Sequence, residues 1–184
     1  MDTCAAILTI DGTDRVAFRK SDLRRILGGG AEGESTIRRL AAGGLLRRAD
    51  RGVYYSVMAA RRRPDAIYEV ARCLRRGEFM YESLESAASI HGLVSQCIQG
   101  VTIATSGSSH SFSTELGVID FVHVDGVADR LADGSAVEVR TSTRMPLATA
   151  EVALEDMVAA GRPTGLIEEV ADGPNVQPRS RGRA

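Results

Sequence analysis

The stretch Leu27 to Thr36, LGGGAEGEST, decides between two kinds of protein. Gly28, Gly30 and Gly33 spell G-x-G-x-x-G, the fingerprint of a dinucleotide site. Gly28, Gly33 and Ser35 also spell a phosphate loop, with Glu34 where lysine belongs. The flanks speak against both. A dinucleotide turn needs a strand before its first glycine, but SDLRRIL places Leu23, Ile26 and Leu27 at i, i+3, i+4, a short amphipathic helix. Glu34 in the lysine position would repel β- and γ-phosphates.

The remaining reading is a helix, a turn and a second helix. Ser21 can cap the first helix, Gly28 ends it, and Gly29 to Gly33 make the turn. The second helix is expected to start near Ser35, with Ile37, Leu40 and Ala41 inward and Thr36, Arg38 and Arg39 pointing elsewhere. LLRRADRGVYYSV then reads as a hairpin: Leu45 and Leu46 lead one strand, Asp50-Arg51-Gly52 turn, and Val53, Tyr55 and Val57 alternate on the return. A hairpin directly after the second helix is a wing. Before Ser21, ILTIDGTDRVAF fits a hairpin around Asp11-Gly12 or a helix followed by a short strand at Val16 to Phe18, and a winged helix favours the helix.

Charge supports this division. Residues 1–63 carry 13 Arg and Lys against 7 Asp and Glu, whereas residues 64–184 carry 10 against 17. A basic module for a polyanion joined to an acidic module with another task is expected. The basic side chains gather on the motif. Lys20, Ser21, Arg24 and Arg25 lie on or beside the first helix, Ser35, Thr36, Arg38 and Arg39 on the second, and Arg47, Arg48 and Arg51 on the wing. These are the candidate contacts to double-stranded DNA. Arginine on a recognition helix can read guanine bidentately, and the flanking residues would hold phosphates. A solvated basic face that binds protein is the alternative.

RRR at 61–63 and Pro64 mark a boundary. A helix is expected from Asp65 to Arg75, with Pro64 at its first position and Ile67, Val70, Ala71 and Leu74 apolar. YESLESAASIHGLV reads as another, with Leu84, Ala87, Ala88 and His91 on one face and Gly92 at its end. GVTIATSG and GVIDFVHV then read as strands joined by the polar loop SSHSFSTEL. A further strand is expected at Ala136 to Arg140 and a last helix from about Leu147 to Ala160. The Pro/Gly/Arg-rich segment 173–184 is expected to be a disordered tail. The expected fold class is α+β: an N-terminal winged helix-turn-helix at 1–58 and a small α+β domain at 64–172.

Several segments together resemble the AbiEi family of type IV toxin–antitoxin antitoxins. They are RGVYYSV, RPDAIYEVARCLRRGEFMYESLESAASIHGLV, VTIATSG and GVIDFVH. Tyr81, Ser83, Leu84, Glu85, Ser86, Ala87, His91, Gly92 and Leu93 stand at the family's Y-x-S-L-E-S-A-x-x-x-H-G-L positions. LATAEVALEDM is similar to A-T-P-E-K-A-L-x-D through Ala148, Thr149, Glu151, Ala153, Leu154 and Asp156, with Ala150 in place of proline and Val152 in place of lysine. The resemblance covers about residues 20–160. It implies an autorepressor of transcription that binds inverted repeats in its own promoter. It also implies an antitoxin whose acidic domain counteracts a nucleotidyltransferase-like toxin. A winged-helix regulator whose second domain senses a ligand or partner, without a toxin, is the alternative.

Enzymatic readings are weaker. Ser108, Ser109, His110 and Asp120 are not G-x-S-x-G, and loop composition accounts for the serines. Asp120 with Glu138-Val139-Arg140 suggests a metal-dependent nuclease, but such sites commonly add a lysine, and the single lysine is Lys20. His91, His110 and His123 share no ligand spacing, so packed or hydrogen-bonded histidines are expected. Glu82 and Glu85 read as an acidic patch on a helix, solvated or partner-binding. Cys4, Cys73 and Cys97 form no C-x-x-C, and buried thiols are expected. Neither catalytic residues nor a metal or cofactor is expected. The opening MDTCAAILTIDG does not read as a signal peptide and no apolar run is long enough to span a bilayer, so a cytoplasmic protein is expected.

Overall fold

The computed structural model describes residues 1–94 and 99–164. Of the opening alternatives, the helix is formed. In α1 (Thr3–Asp11) the N-cap Asp2 accepts a hydrogen bond from the Ala5 N–H at 2.8 Å. Strand β1 (Ala17–Arg19), helices α2 (Lys20–Ile26) and α3 (Gly30–Ala42), and strands β2 (Leu46–Asp50) and β3 (Val53–Ser56) follow. The strands make an antiparallel sheet in the order β1-β3-β2. Ala6, Ile10, Phe18, Leu23, Leu27, Ile37, Leu40 and Leu46 close a core under the helices.

Helix α3 begins at Gly30 rather than near Ser35. Gly28 and Gly29, at φ +99° and +73°, complete the reversal in a left-handed conformation that glycine adopts without steric cost. Gly33 then serves packing: a Cβ there would stand 2.7 Å from the Arg24 carbonyl oxygen, so its absence lets α3 lie against α2. The glycines of this segment make a turn and a helix contact.

Val57, expected on the return strand, opens helix α4 (Val57–Arg62), where Ser56 accepts from the Ala59 N–H at 3.3 Å. The expected boundary at 58–64 therefore falls on a helix that includes Arg61 and Arg62. Helix α5 (Ala66–Leu74) takes Asp65 as its N-cap, so Pro64 lies outside it. Beyond come β4 (Met80–Glu82), α6 (Leu84–Ile90), β5 (Gly100–Thr105), β6 (His110–Thr114), β7 (Gly117–His123), α7 (Val127–Ala132), β8 (Val137–Glu138), β9 (Leu147–Ala148) and α8 (Ala150–Ala159). The second sheet has the order β6-β7-β5-β4-β9-β8, with β5 parallel to β7 and β4 parallel to β9. The fold is mixed α+β.

Several expectations are corrected in this half. Tyr81 and Glu82 lie on β4 and not on the following helix. SSHSFSTEL contains β6, an edge strand whose side chains are exposed or half-buried, so it lacks an apolar rhythm. The strand expected at Ala136 to Arg140 shortens to Val137 and Glu138, and Leu147 belongs to β9. Thr149 caps α8 by accepting from the Val152 N–H at 3.4 Å. Cys4 is exposed, unlike the buried Cys73. Cys97 and the expected tail at 173–184 lie outside the described residues.

Helix α5 stands between the two sheets. Tyr68, Val70, Ala71 and Cys73 share one apolar cluster with Val16, Ala17, Val53 and Tyr55 on one side and with Val101, Ile103, Ile119 and Phe121 on the other. The opposite face of the large sheet buries Ala104 and Val122 with Leu84, Ala87, Ala88, Ala153 and Met157 of α6 and α8. Polar contacts reinforce the seam. Arg63 donates to Asp65 at 2.8 and 3.0 Å and to the Asp14 carbonyl at 2.9 Å, and pairs with Glu69 at 3.0 Å. Glu69 also accepts from the Val16 N–H at 2.6 Å.

Two stability predictions follow from this geometry. Gly33→Ala drives a methyl group into backbone and should cost a net ~1–2 kcal/mol, overpacking outweighing the gain in helix propensity. A urea midpoint that stays or rises would contradict the close contact. The Arg63 guanidinium holds the buried Asp65 carboxyl below its ordinary value of 3.8. In the unfolded chain Asp65 binds its proton more readily, so its contribution is present above about pH 3.8 and is lost as pH falls below that. Between pH 5 and pH 3 the wild type should lose more stability than Asp65→Asn. Parallel losses would remove this pair from the acid response.

Candidate nucleic-acid interface

The apolar face of α3, with Ile37 and Leu40 buried, fixes which side chains point outward. Positions 31, 35, 38 and 42, spaced as one helical stripe, place Ala31, Ser35, Arg38 and Ala42 in solvent. Lys20 and Arg24 approach this stripe from α2. The Lys20 ammonium pairs with Glu34 at 2.7 Å. That hydrogen bond, with Arg24 and Arg38 close by, holds the Glu34 carboxyl below the usual carboxylate range. Three cations thus gather around one acidic side chain, leaving a positive excess on the outer face. Ser21 is exposed inside the first turn of α2, whose N-cap position is Arg19, so Ser21 is not a cap.

On the hairpin, Arg48 and Arg51 are exposed, and Arg48 donates to the Asp50 carbonyl at 3.2 Å. Among the described residues, no ion pair occupies Arg24, Arg38, Arg48 or Arg51. These positive charges are available to a polyanion.

Four expected contacts are placed differently. Thr36 is 2% exposed and belongs to the packed interior, so it cannot reach a ligand; helix phase puts it on the same side as the buried Gly33, Ile37 and Leu40. Arg39 turns to the chain start, donating to the Met1 carbonyl at 2.5 Å. Arg47 points at the second half and pairs with Glu115 at 2.9 Å. Arg25 leaves the α3 side and lines a cleft shared with α5.

The residues weighed for an enzymatic site have other partners. Ser111 donates to Asp120, which also pairs with Arg162 at 2.6 Å. Asp120 on β7 and Glu138 on β8 are four strand spacings apart, about 19 Å at ordinary sheet geometry, too far to share one metal. Among the described residues, no group of three His, Cys, Asp or Glu side chains could hold a metal ion. His91 bonds the Ala148 carbonyl at 2.8 Å, and His123 the Gly107 carbonyl at 2.9 Å. Nor is any helix among them long and apolar enough to cross a membrane.

The YES segment at 81–83 builds two buried polar networks in the second half. Asp156, 0% exposed, accepts from the Tyr81 hydroxyl at 2.9 Å, the Ser83 hydroxyl at 2.6 Å and the Arg130 guanidinium. Burial pushes the Tyr81 phenol above its usual value. Glu82, expected on an acidic patch, is instead 1% exposed between the Tyr68 hydroxyl at 2.9 Å and Arg140 at 2.8 Å. Burial lifts its carboxyl above the ordinary range despite both partners. Glu85 pairs with Arg162 at 3.6 Å. Nothing local announces Arg130 or Arg140, which lie 49 and 58 positions from the Tyr81 and Glu82 that they meet.

No protein-family model matches the chain, and no curated protein matches it.

These networks read as scaffold, which gives a further prediction. Asp156→Ala would strand two buried hydroxyls and loosen a half-exposed arginine, at a cost of ~2–4 kcal/mol. Chemical denaturation measures it, and a change below about 1 kcal/mol would show that the network does not hold the fold.

Proposed function

We propose that this protein binds double-stranded DNA through a winged helix-turn-helix at residues 1–58. In this reading α3 enters the major groove and the β2–β3 hairpin is the wing. The observation that carries the proposal is the exposed set Arg24, Arg38, Arg48 and Arg51, which no ion pair among the described residues occupies, on the outward face of a helix pair and its hairpin. Arg38, on the exposed stripe of α3, is the base reader. Lys20, Arg24, Arg48 and Arg51 hold phosphates and set register, and Ser21 and Ser35 add neutral hydrogen bonds.

The wider role we propose rests on the resemblance to AbiEi antitoxins. The protein is a non-catalytic, cytoplasmic autorepressor that binds inverted repeats in its own promoter and counteracts a nucleotidyltransferase-like toxin. The meeting of the two resembling segments supports treating them as one unit, since Tyr81 and Ser83 both bond Asp156. The second reading is a regulator without a toxin whose other domain senses a ligand. It is favoured by the cleft between α2 and α5.

Fluorescence anisotropy with the protein's own upstream DNA and a scrambled duplex, across a salt series, tests the proposal. Preference for the upstream DNA is expected, and equal weak binding to both would leave a basic unit without an operator there. Arg38→Ala should cost ~1–3 kcal/mol on the specific site and much less on the scrambled one. Equal losses would sink the base-reading role. Arg51→Ala should weaken both and flatten the salt slope by about one. An unchanged slope would remove the hairpin from the contacts. Rescue of growth when the chain is co-expressed with a neighbouring nucleotidyltransferase would separate the antitoxin from the toxin-free regulator.

A further inference from the structure

A cleft of about 510 Å³ opens where β1 and α2 meet α5 and the loop before β9. Arg15, Arg19 and Arg25 line it from the first half, and Arg72, Arg76 and Arg144 from the second. Two carboxylates share the space and leave it with a positive excess. Asp22 forms long ion pairs with Arg15 at 3.7 Å and with Arg25 and Arg76 at 3.9 Å, one carboxylate among three guanidiniums. Glu69 is committed to Arg63 at 3.0 Å and to the Val16 N–H at 2.6 Å.

One member of the cluster is fixed in place. Arg72 is tied by hydrogen bonds to the carbonyls of Thr143 at 2.8 Å and Arg144 at 3.0 Å. Burial pulls its guanidinium below the usual value; the Glu69 and Asp65 carboxylates oppose this, and the positive charges of Arg144 and Arg63 add to it. Arg144 adopts φ +52°, a conformation a non-glycine residue holds at a cost. Guanidiniums concentrated in a concave, partly desolvated space raise the local potential and favour an anion of high charge density.

We infer that this cleft is a binding site for a small polyphosphate, the di- or triphosphate group carried by nucleotides. The volume lies within the range of small-molecule sites. Planar guanidiniums match phosphate oxygens bidentately, and their presence on both walls suits a chain of phosphates better than a single one. A duplex is the weaker fit, because its phosphates lie on a convex surface and this site is walled by α5 and the loop at 141–145. The bound anion ties the two halves together. The inference stands apart from the DNA-binding proposal, since Arg24, Arg38, Arg48 and Arg51 take no part in the cleft.

Isothermal titration calorimetry on the full chain at constant ionic strength tests it, with inorganic triphosphate, ATP and orthophosphate as probes. Saturable one-to-one binding of triphosphate is expected, with orthophosphate at least tenfold weaker. Arg25→Gln/Arg76→Gln should reduce triphosphate affinity at least tenfold. Their side chains are 81% and 67% exposed, so the fold should tolerate the change. The charge-matched Arg61→Gln/Arg62→Gln on α4 should bind as the wild type does. ATP binding more tightly than triphosphate would identify a nucleotide as the source, and equal affinity would assign recognition to the phosphate chain alone. Absence of saturable binding, or equal loss in both double variants, would overturn the site. So would a cleft variant that loses duplex affinity while triphosphate binding is unaffected.

Discussion

The burial of α5 on two sides is the constraint on which the rest of the structure depends. One helix fills the space between a three-stranded and a six-stranded sheet, and its apolar residues belong to a single cluster with both. Tyr68 shows how closely the roles overlap. Its ring lies in that cluster, and its hydroxyl reaches Glu82 on β4 of the second sheet. The Arg63, Asp65 and Glu69 side chains cover the end of the same seam and bond backbone of the first half at Asp14 and Val16. The cluster shared by the two sheets does not close without this helix, although each half also buries a core of its own.

The two halves use charge in opposite ways. In the second, arginines turn inward to buried carboxylates: Arg130 to Asp156 and Arg140 to Glu82. Buried pairs of this kind contribute little net stability but penalise any arrangement that leaves one partner alone. In the first, Arg24, Arg38, Arg48 and Arg51 face solvent, and no carboxylate among the described residues pairs with them. Exposed, unpaired arginine contributes almost nothing to the fold. Its value lies in association with an anion. The difference in burial, more than the difference in net charge, motivates the separate roles proposed for the two halves.

Local periodicity was enough to read the helix, turn, helix and hairpin, because Leu23, Ile26 and Leu27 and then Ile37 and Leu40 repeat at helical spacing within one element. It failed where a partner far along the chain decides the outcome. Thr36 is polar yet buried on the inner side of α3, and Glu82 is buried where Tyr68 and Arg140 meet it. Strand β6 reads as a loop because its edge position leaves most side chains exposed. The early start of α3 was hidden by Gly33, whose small size is a requirement of packing and not a sign of a turn. The arginine cleft was invisible for the same reason: its walls are contributed by residues 15–25, 72–76 and 144.

The central claim is that the first half meets DNA through the outward face of α3 and the hairpin. Nuclear magnetic resonance of the ¹⁵N-labelled protein, including arginine Nε–H signals, tests it most directly during titration with the upstream duplex. The account predicts the largest shifts at Lys20, Arg24, Ser35, Arg38, Arg48 and Arg51, with Thr36 and the Asp156 network little changed. Shifts confined to the second half, or spread evenly over all exposed arginines, would contradict it.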